Sequence, residues 1–101
     1  MSTPGPPSRA FVTITNVDHQ LTPPGWWELH VAVADMMEKA GAVFHGEWFC
    51  GPIASRQSAC WCVDVQPGIV ERLKGELAVI GAAYGRGLIA WSESPETFIL
   101  G

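Results

Sequence analysis

Charge is scarce and unpatterned in this chain. Only 16% of its 101 residues are Asp, Glu, Lys or Arg. Six bases, Arg9, Lys39, Arg56, Arg72, Lys74 and Arg86, are scattered among ten acids, and the net charge is −4. No basic stripe forms, which argues against nucleic acid or an anionic membrane surface as a partner. No apolar run approaches the roughly 20 residues of a membrane span, and the opening MSTPGPPSRA has no apolar signal core. The chain therefore reads as cytoplasmic. Gly-x-Ser-x-Gly does not occur, so no serine nucleophile is indicated. The glycine-rich GAAYGRG follows a helical pattern instead of joining a strand to a helix, so it is no phosphate loop. Three cysteines is an odd count, unlike a secreted disulfide framework, and reduced thiols are expected.

Apolar residues are what the chain has in plenty: 48% are hydrophobic, and five are tryptophan. So short a chain has difficulty hiding five indoles, which points to a self-association face or a ligand pocket. Its length suits one domain. Residues 1–9 read as a proline-rich disordered tail, and residues 10–101 as the domain.

RAFVTITNVDH alternates Phe11, Thr13 and Thr15 with Val12 and Ile14, a strand pattern. A helix follows, with Thr22 placed to cap it, Pro23 or Pro24 in its first turn and Gly41 to end it. Its apolar stripe is Trp26, Leu29, Val33, Met36, Met37 and Ala40; Trp27 and Val31 lie off it and suggest a second buried face. AVFHGEWFC and SACWCVDV read as two strands around the loop GPIASRQ. Pro67 starts a second helix, with Ile69, Val70, Leu73, Leu77 and Ile80 on one face, ending near YGRG. LIAWSES is the last long strand, and ETFIL after Pro95 is a candidate short fifth one. The order β-α-β-β-α-β predicts an α+β ferredoxin-like fold: a four-stranded antiparallel sheet with two helices on one face. The other face is then bare, a physical reason to expect a homodimer formed through it.

This order and length, with EKAGAVFHGEWFCGP, then CWCVDV, then a helix, resemble the small dimeric α/β-barrel proteins. That group includes muconolactone-isomerase-like enzymes, cofactor-free monooxygenases and haem-degrading oxygenases. The resemblance spans about residues 10 to 100 and implies two sheets packed face to face, with a pocket between sheet and helices. Haem-degrading members combine a first-strand asparagine with a later tryptophan and histidine. Asn16 and Trp61 match the first two, but no histidine follows Trp61 in this chain, which counts against that activity.

Chemistry is densest in HGEWFCGPIASRQSACWCVD, residues 45–64. Strand alternation tests whether it holds a metal. Ala59, Trp61, Val63 and Val65 should lie under the helices, leaving Ser58, Cys60, Cys62 and Asp64 on the open face. By the same alternation His45, Glu47 and Phe49 share one face, and Phe44, Trp48 and Cys50 the other, unless a bulge intervenes. His45 and Cys50 are then parted, and Cys-x-Cys along a strand splays its sulfurs by about 7 Å. No metal site, disulfide or cofactor is expected; the cysteines read as small hydrophobes. His45, Glu47 and Asn16 are the candidates for proton transfer in a cofactor-independent enzyme. Against this, Glu47 could simply be solvated at a strand edge, and Asn16 could be a turn residue. Trp26, Trp48, Trp61, Cys60 and Cys62 are the candidate ligand-binding residues, for a small apolar or aromatic molecule. Two other functions compete with this one: a non-catalytic protein-interaction module, and a metal-binding sensor using Cys and His.

Overall fold

The computed structural model describes residues 7–50 and 57–93, without the side chains of residues 49 and 50. Its elements are β1 (Ser8–Thr15), α1 (Pro23–Lys39), β2 (Val43–Cys50), β3 (Ser58–Val65), α2 (Val70–Tyr84) and β4 (Ile89–Glu93). Short 3-10 turns at Val17–His19 and Pro67–Ile69 precede the two helices. The strands form one antiparallel sheet in the order β2-β3-β1-β4. This is the ferredoxin-like arrangement expected from the sequence. β1 opens at Ser8, so Ser8 and Arg9, expected in the tail, are strand residues paired with Val65 and Asp64. The candidate fifth strand, ETFIL, lies outside the described residues.

Local chemistry explains the first helix. The Thr22 hydroxyl accepts the Gly25 amide hydrogen at 3.3 Å, and prolines fill the first turn, where no amide hydrogen is needed. Gly41, at φ +81°, takes the left-handed conformation that closes the C-terminus.

The core lies between one sheet face and both helices. Ala10, Val12 and Ile14 of β1 and Trp61, Val63 and Val65 of β3 meet Leu29, Val33 and Met37 of α1 and Leu73 and Leu77 of α2. Trp61 is the bulkiest fully buried side chain. Phe11, Thr13, Cys60, Cys62 and Asp64 therefore face the open side, as alternation required.

β2 departs from alternation. Its register with β3 slips between Phe44, opposite Val63, and Gly46, opposite Cys62, leaving His45 as the extra residue of a β-bulge. Cross-strand partners share a face. Phe44 and Glu47 therefore sit on the helix face with Val63 and Trp61, and Gly46 and Trp48 on the open face with Cys62 and Cys60. The expected grouping of His45 with Glu47 fails for this reason: the bulge turns His45 to the open face, against Asp64. It also removes the ground for parting His45 from Cys50, whose side chain lies outside the described set.

Candidate functional site

A cavity of about 440 Å³ opens between α2 and β4. It follows from residue size. Ala78, Gly81 and Ala82 recur at helical spacing along one side of α2, Gly85 follows just past its end, and short side chains there leave room. Gly81 sets the closeness of approach, since a Cβ on it would lie 3.3 Å from Ile89 Cδ1. Ile89 and Trp91 of β4 form the facing wall, and Leu77 and the buried Leu88 also line the cavity. Trp91 donates its indole N–H to Glu93 at 2.9 Å, which fixes the ring.

The turn at one end of the cavity is clamped from outside. The Gln20 side chain donates to the Arg86 carbonyl and accepts the Arg86 amide hydrogen, both at 2.9 Å. Gly85 admits that clamp, because a Cβ there would fall 2.5 Å from Gln20 Oε1. Gly87 turns the chain into β4 with φ +66°. Among the described residues the cavity lining carries two cations, Lys74 and Arg86, and no carboxylate.

The open sheet face carries a second cluster. Arg9 Nε and Nη2 donate to the Asp64 carboxylate at 2.9 and 3.3 Å, and His45 Nε2 lies 2.8 Å from Asp64 Oδ2. The Arg9 hydrogen bond first, and His45 second, hold the Asp64 carboxyl below the usual carboxylate range. Farther along, Thr13 donates its hydroxyl to Cys60 Sγ at 3.5 Å. Trp48 lies folded against Gly46, where a Cβ would meet its ring at 2.7 Å. Phe11, Val43 and Trp48 stay exposed on this face, while Cys62 is buried.

Glu47 faces the other way, toward α1. Its carboxylate lies 3.3 Å from His30 Nε2. The His30 ring stacks on Trp27, with centroids 5.1 Å apart, and leans on Trp61 at 4.9 Å. Asn16 is a turn lock. It is buried, its Oδ1 accepts the Leu21 amide hydrogen, and its Nδ2 donates to the Leu21 carbonyl and to Gln57 Oε1.

The sequence candidates thus fall in separate places. His45, Trp48, Cys60 and Cys62 lie on the open face, Glu47 and Trp61 meet His30, Trp26 packs beside the core, and Asn16 holds a turn. The structure does not bring His45, Glu47 and Asn16 together, and none of the candidates lines the α2–β4 cavity. Of its residues the sequence offers Trp91 as one of five indoles suited to a pocket, and Gly81 to Gly87 only as a rejected phosphate loop. The signal available was the Ala/Gly spacing at 78, 81, 82 and 85, which blurred where the second helix ends. Among the described residues no group of three or more His, Cys, Asp or Glu side chains could hold a metal ion. None of the described helices is long and apolar enough to cross a membrane.

These features define a ferredoxin-like α+β domain with one covered and one open sheet face. No family model matches the chain, and no curated protein matches it. Among solved structures it is similar to a protein taken to be a glycine cleavage system transcriptional repressor. The identity is 10% and the TM-score 0.66, over 93% of this chain and 49% of that one. It is also similar to the C-terminal domain of the MgtC protein from Mycobacterium tuberculosis. Here the identity is 11% and the TM-score 0.58, over 92% of this chain and 94% of that one. The chain spans about half the length of the repressor. At such identities the likeness establishes the fold alone.

Proposed function

We propose that this chain is a small-molecule-binding ferredoxin-like module, working as a homodimer of the face-to-face kind that its sequence pattern resembles. The observation that carries the binding reading is the apolar α2–β4 cavity. Its volume of about 440 Å³ is within the usual range for ligand pockets, roughly 300–1,000 Å³. A cavity of about 150 Å³ can take benzene, so a two-ring molecule fits this one. The neighbour taken to be a repressor sets a regulatory use of the fold beside this reading. The groups suited to proton transfer, Glu47 with His30 and His45 with Asp64, lie away from the cavity, which favours binding over turnover there.

Titration with the neutral aromatic probe 2-naphthamide tests the reading. Saturable, one-to-one binding is expected, with the Trp91 indole resonance among those that move. Ala82→Leu, an exposed helical position in the lining, should weaken binding at least tenfold while leaving the fold intact. Absence of saturable binding by the wild type would sink the proposal.

A further inference from the structure

We infer that the α2–β4 cavity is built for a small aromatic carboxylate, with Arg86 as the residue that selects the anion. This rests on the cavity reading above and adds the chemical class of the ligand.

Three observations converge. First, the cavity walls are largely apolar. Ala78 and Gly81 on α2 face Ile89 and Trp91 on β4, so a bound ring would have the Trp91 indole to stack on. Second, the two cations in the lining are not equivalent. Lys74 lies 3.6 Å from the Glu71 carboxylate, whereas the Arg86 guanidinium makes no ion pair or side-chain hydrogen bond among the described residues. In a chain of net charge −4, a guanidinium unpaired among the described residues, carried by a residue that lines an apolar cavity, is a specific feature. Third, the Arg86 backbone is held at both its polar atoms by Gln20. The guanidinium is thus launched from a fixed point, and less ordering is left for a ligand to impose.

The arrangement also gives the ligand a direction. Gly81 packs on Ile89, so β4 runs back along α2, and Glu93 lies four residues beyond Ile89. At about 3.3 Å per residue that is roughly 13 Å away. The carboxylate of Glu93, held on the Trp91 N–H, therefore marks the end away from Arg86. A ligand carboxylate is repelled from that end and drawn to the Arg86 end. Arg86 also lies just past the C-terminus of α2, where the last carbonyls disfavour an anion. The preference for an anion accordingly depends on Arg86 and should vanish with it. A planar guanidinium suits a carboxylate in particular, because it can pair with both oxygens.

The test compares 2-naphthoate with its neutral near-isostere 2-naphthamide by calorimetry, at low and high salt. In the wild type, naphthoate should bind at least tenfold more tightly, and the gap should narrow as salt rises. In Arg86→Gln the preference should fall below threefold, because naphthoate loses far more affinity than naphthamide. That variant should fold, since the Gln20 clamp engages only the Arg86 backbone. Equal binding of the two probes by the wild type overturns the anion selection and leaves the cavity reading standing. So does a tenfold preference that survives Arg86→Gln. Failure of both probes to bind overturns the cavity reading itself.

Discussion

Asn16 shows how one residue can be chemically conspicuous and yet be consumed by folding. It sits at the end of β1, and its amide satisfies both backbone polar atoms of Leu21. Between them the chain passes through Asp18 and His19, both in the left-handed region at φ 53° and 51°. Side chains rarely adopt that conformation without support. Asn16→Ala would leave the two Leu21 groups and Gln57 without these partners and release the turn. A loss of about 2–3 kcal/mol is expected, read as a midpoint shift in urea with unchanged slope. Gln20 lies within the released turn, so its clamp on the Arg86 backbone should loosen as well. Asp64 gives a pH signature at the same scale. Its folded-state pKa is depressed by Arg9 and His45, so the folded form releases its proton more readily than the unfolded chain. The resulting stabilisation is present above the ordinary value of about 3.9 and is lost as pH falls through the depressed folded value. The carboxylate is partly exposed, so solvent screens the effect. Thermal melts of Asp64→Asn should run a few degrees below wild type at neutral pH and converge with it below about pH 4. A gap that persists undiminished in acid would assign the loss to packing.

At the scale of elements, β2 marks where sequence reading succeeds and stops. The helices were legible because Thr22, Pro23 and Gly41 punctuate α1, and because the apolar spacing in both helices has a helical period. The face of β3 was legible because Ala59, Trp61, Val63 and Val65 alternate without interruption. β2 was legible as a strand but not in its facing, since one extra residue inverts everything before it relative to everything after. His45 and Glu47 look like a same-face pair at two-residue spacing and end on opposite faces. His30, which the sequence places beside the α1 stripe, gains Glu47 as a neighbour only through that inversion. The α2–β4 cavity was hidden for another reason: it is made by what Ala78, Gly81 and Ala82 lack, and their spacing reads as helix without showing a hollow. The bulge also explains Gly46. A methyl group there would strike the Trp48 ring, whose far end is free to swing away. Gly46→Ala should therefore cost little stability, under about 1 kcal/mol. It should shift the Trp48 indole resonance and weaken self-association by altering the surface of the open face.

For the whole molecule, the uneven covering of the sheet matters most. Both helices pack on one face, and the other presents Phe11, Val43 and Trp48 to solvent. Four strands about 4.8 Å apart and five to eight residues long span roughly 400 Å² in projection, and more in accessible area. Taken over two copies, that is near the lower limit for a specific interface, about 1,000 Å² in total. The Arg9–Asp64–His45 cluster is already paired within the chain, so a second copy would meet an apolar centre with its nearby charges satisfied. A sheet face also complements itself under a two-fold axis, each strand crossing its counterpart, as the commonest oligomer symmetry requires. Light scattering at micromolar concentration should therefore give twice the chain mass. Trp48→Lys places a charge in the middle of the open face and should yield a folded monomer. Val79→Lys, an equally drastic change at an exposed position on α2, should leave the dimer intact. If Val79→Lys dissociates the protein and Trp48→Lys does not, subunits associate through the helix layer. The open face would then be left for a different partner, and the α2–β4 cavity would border the interface.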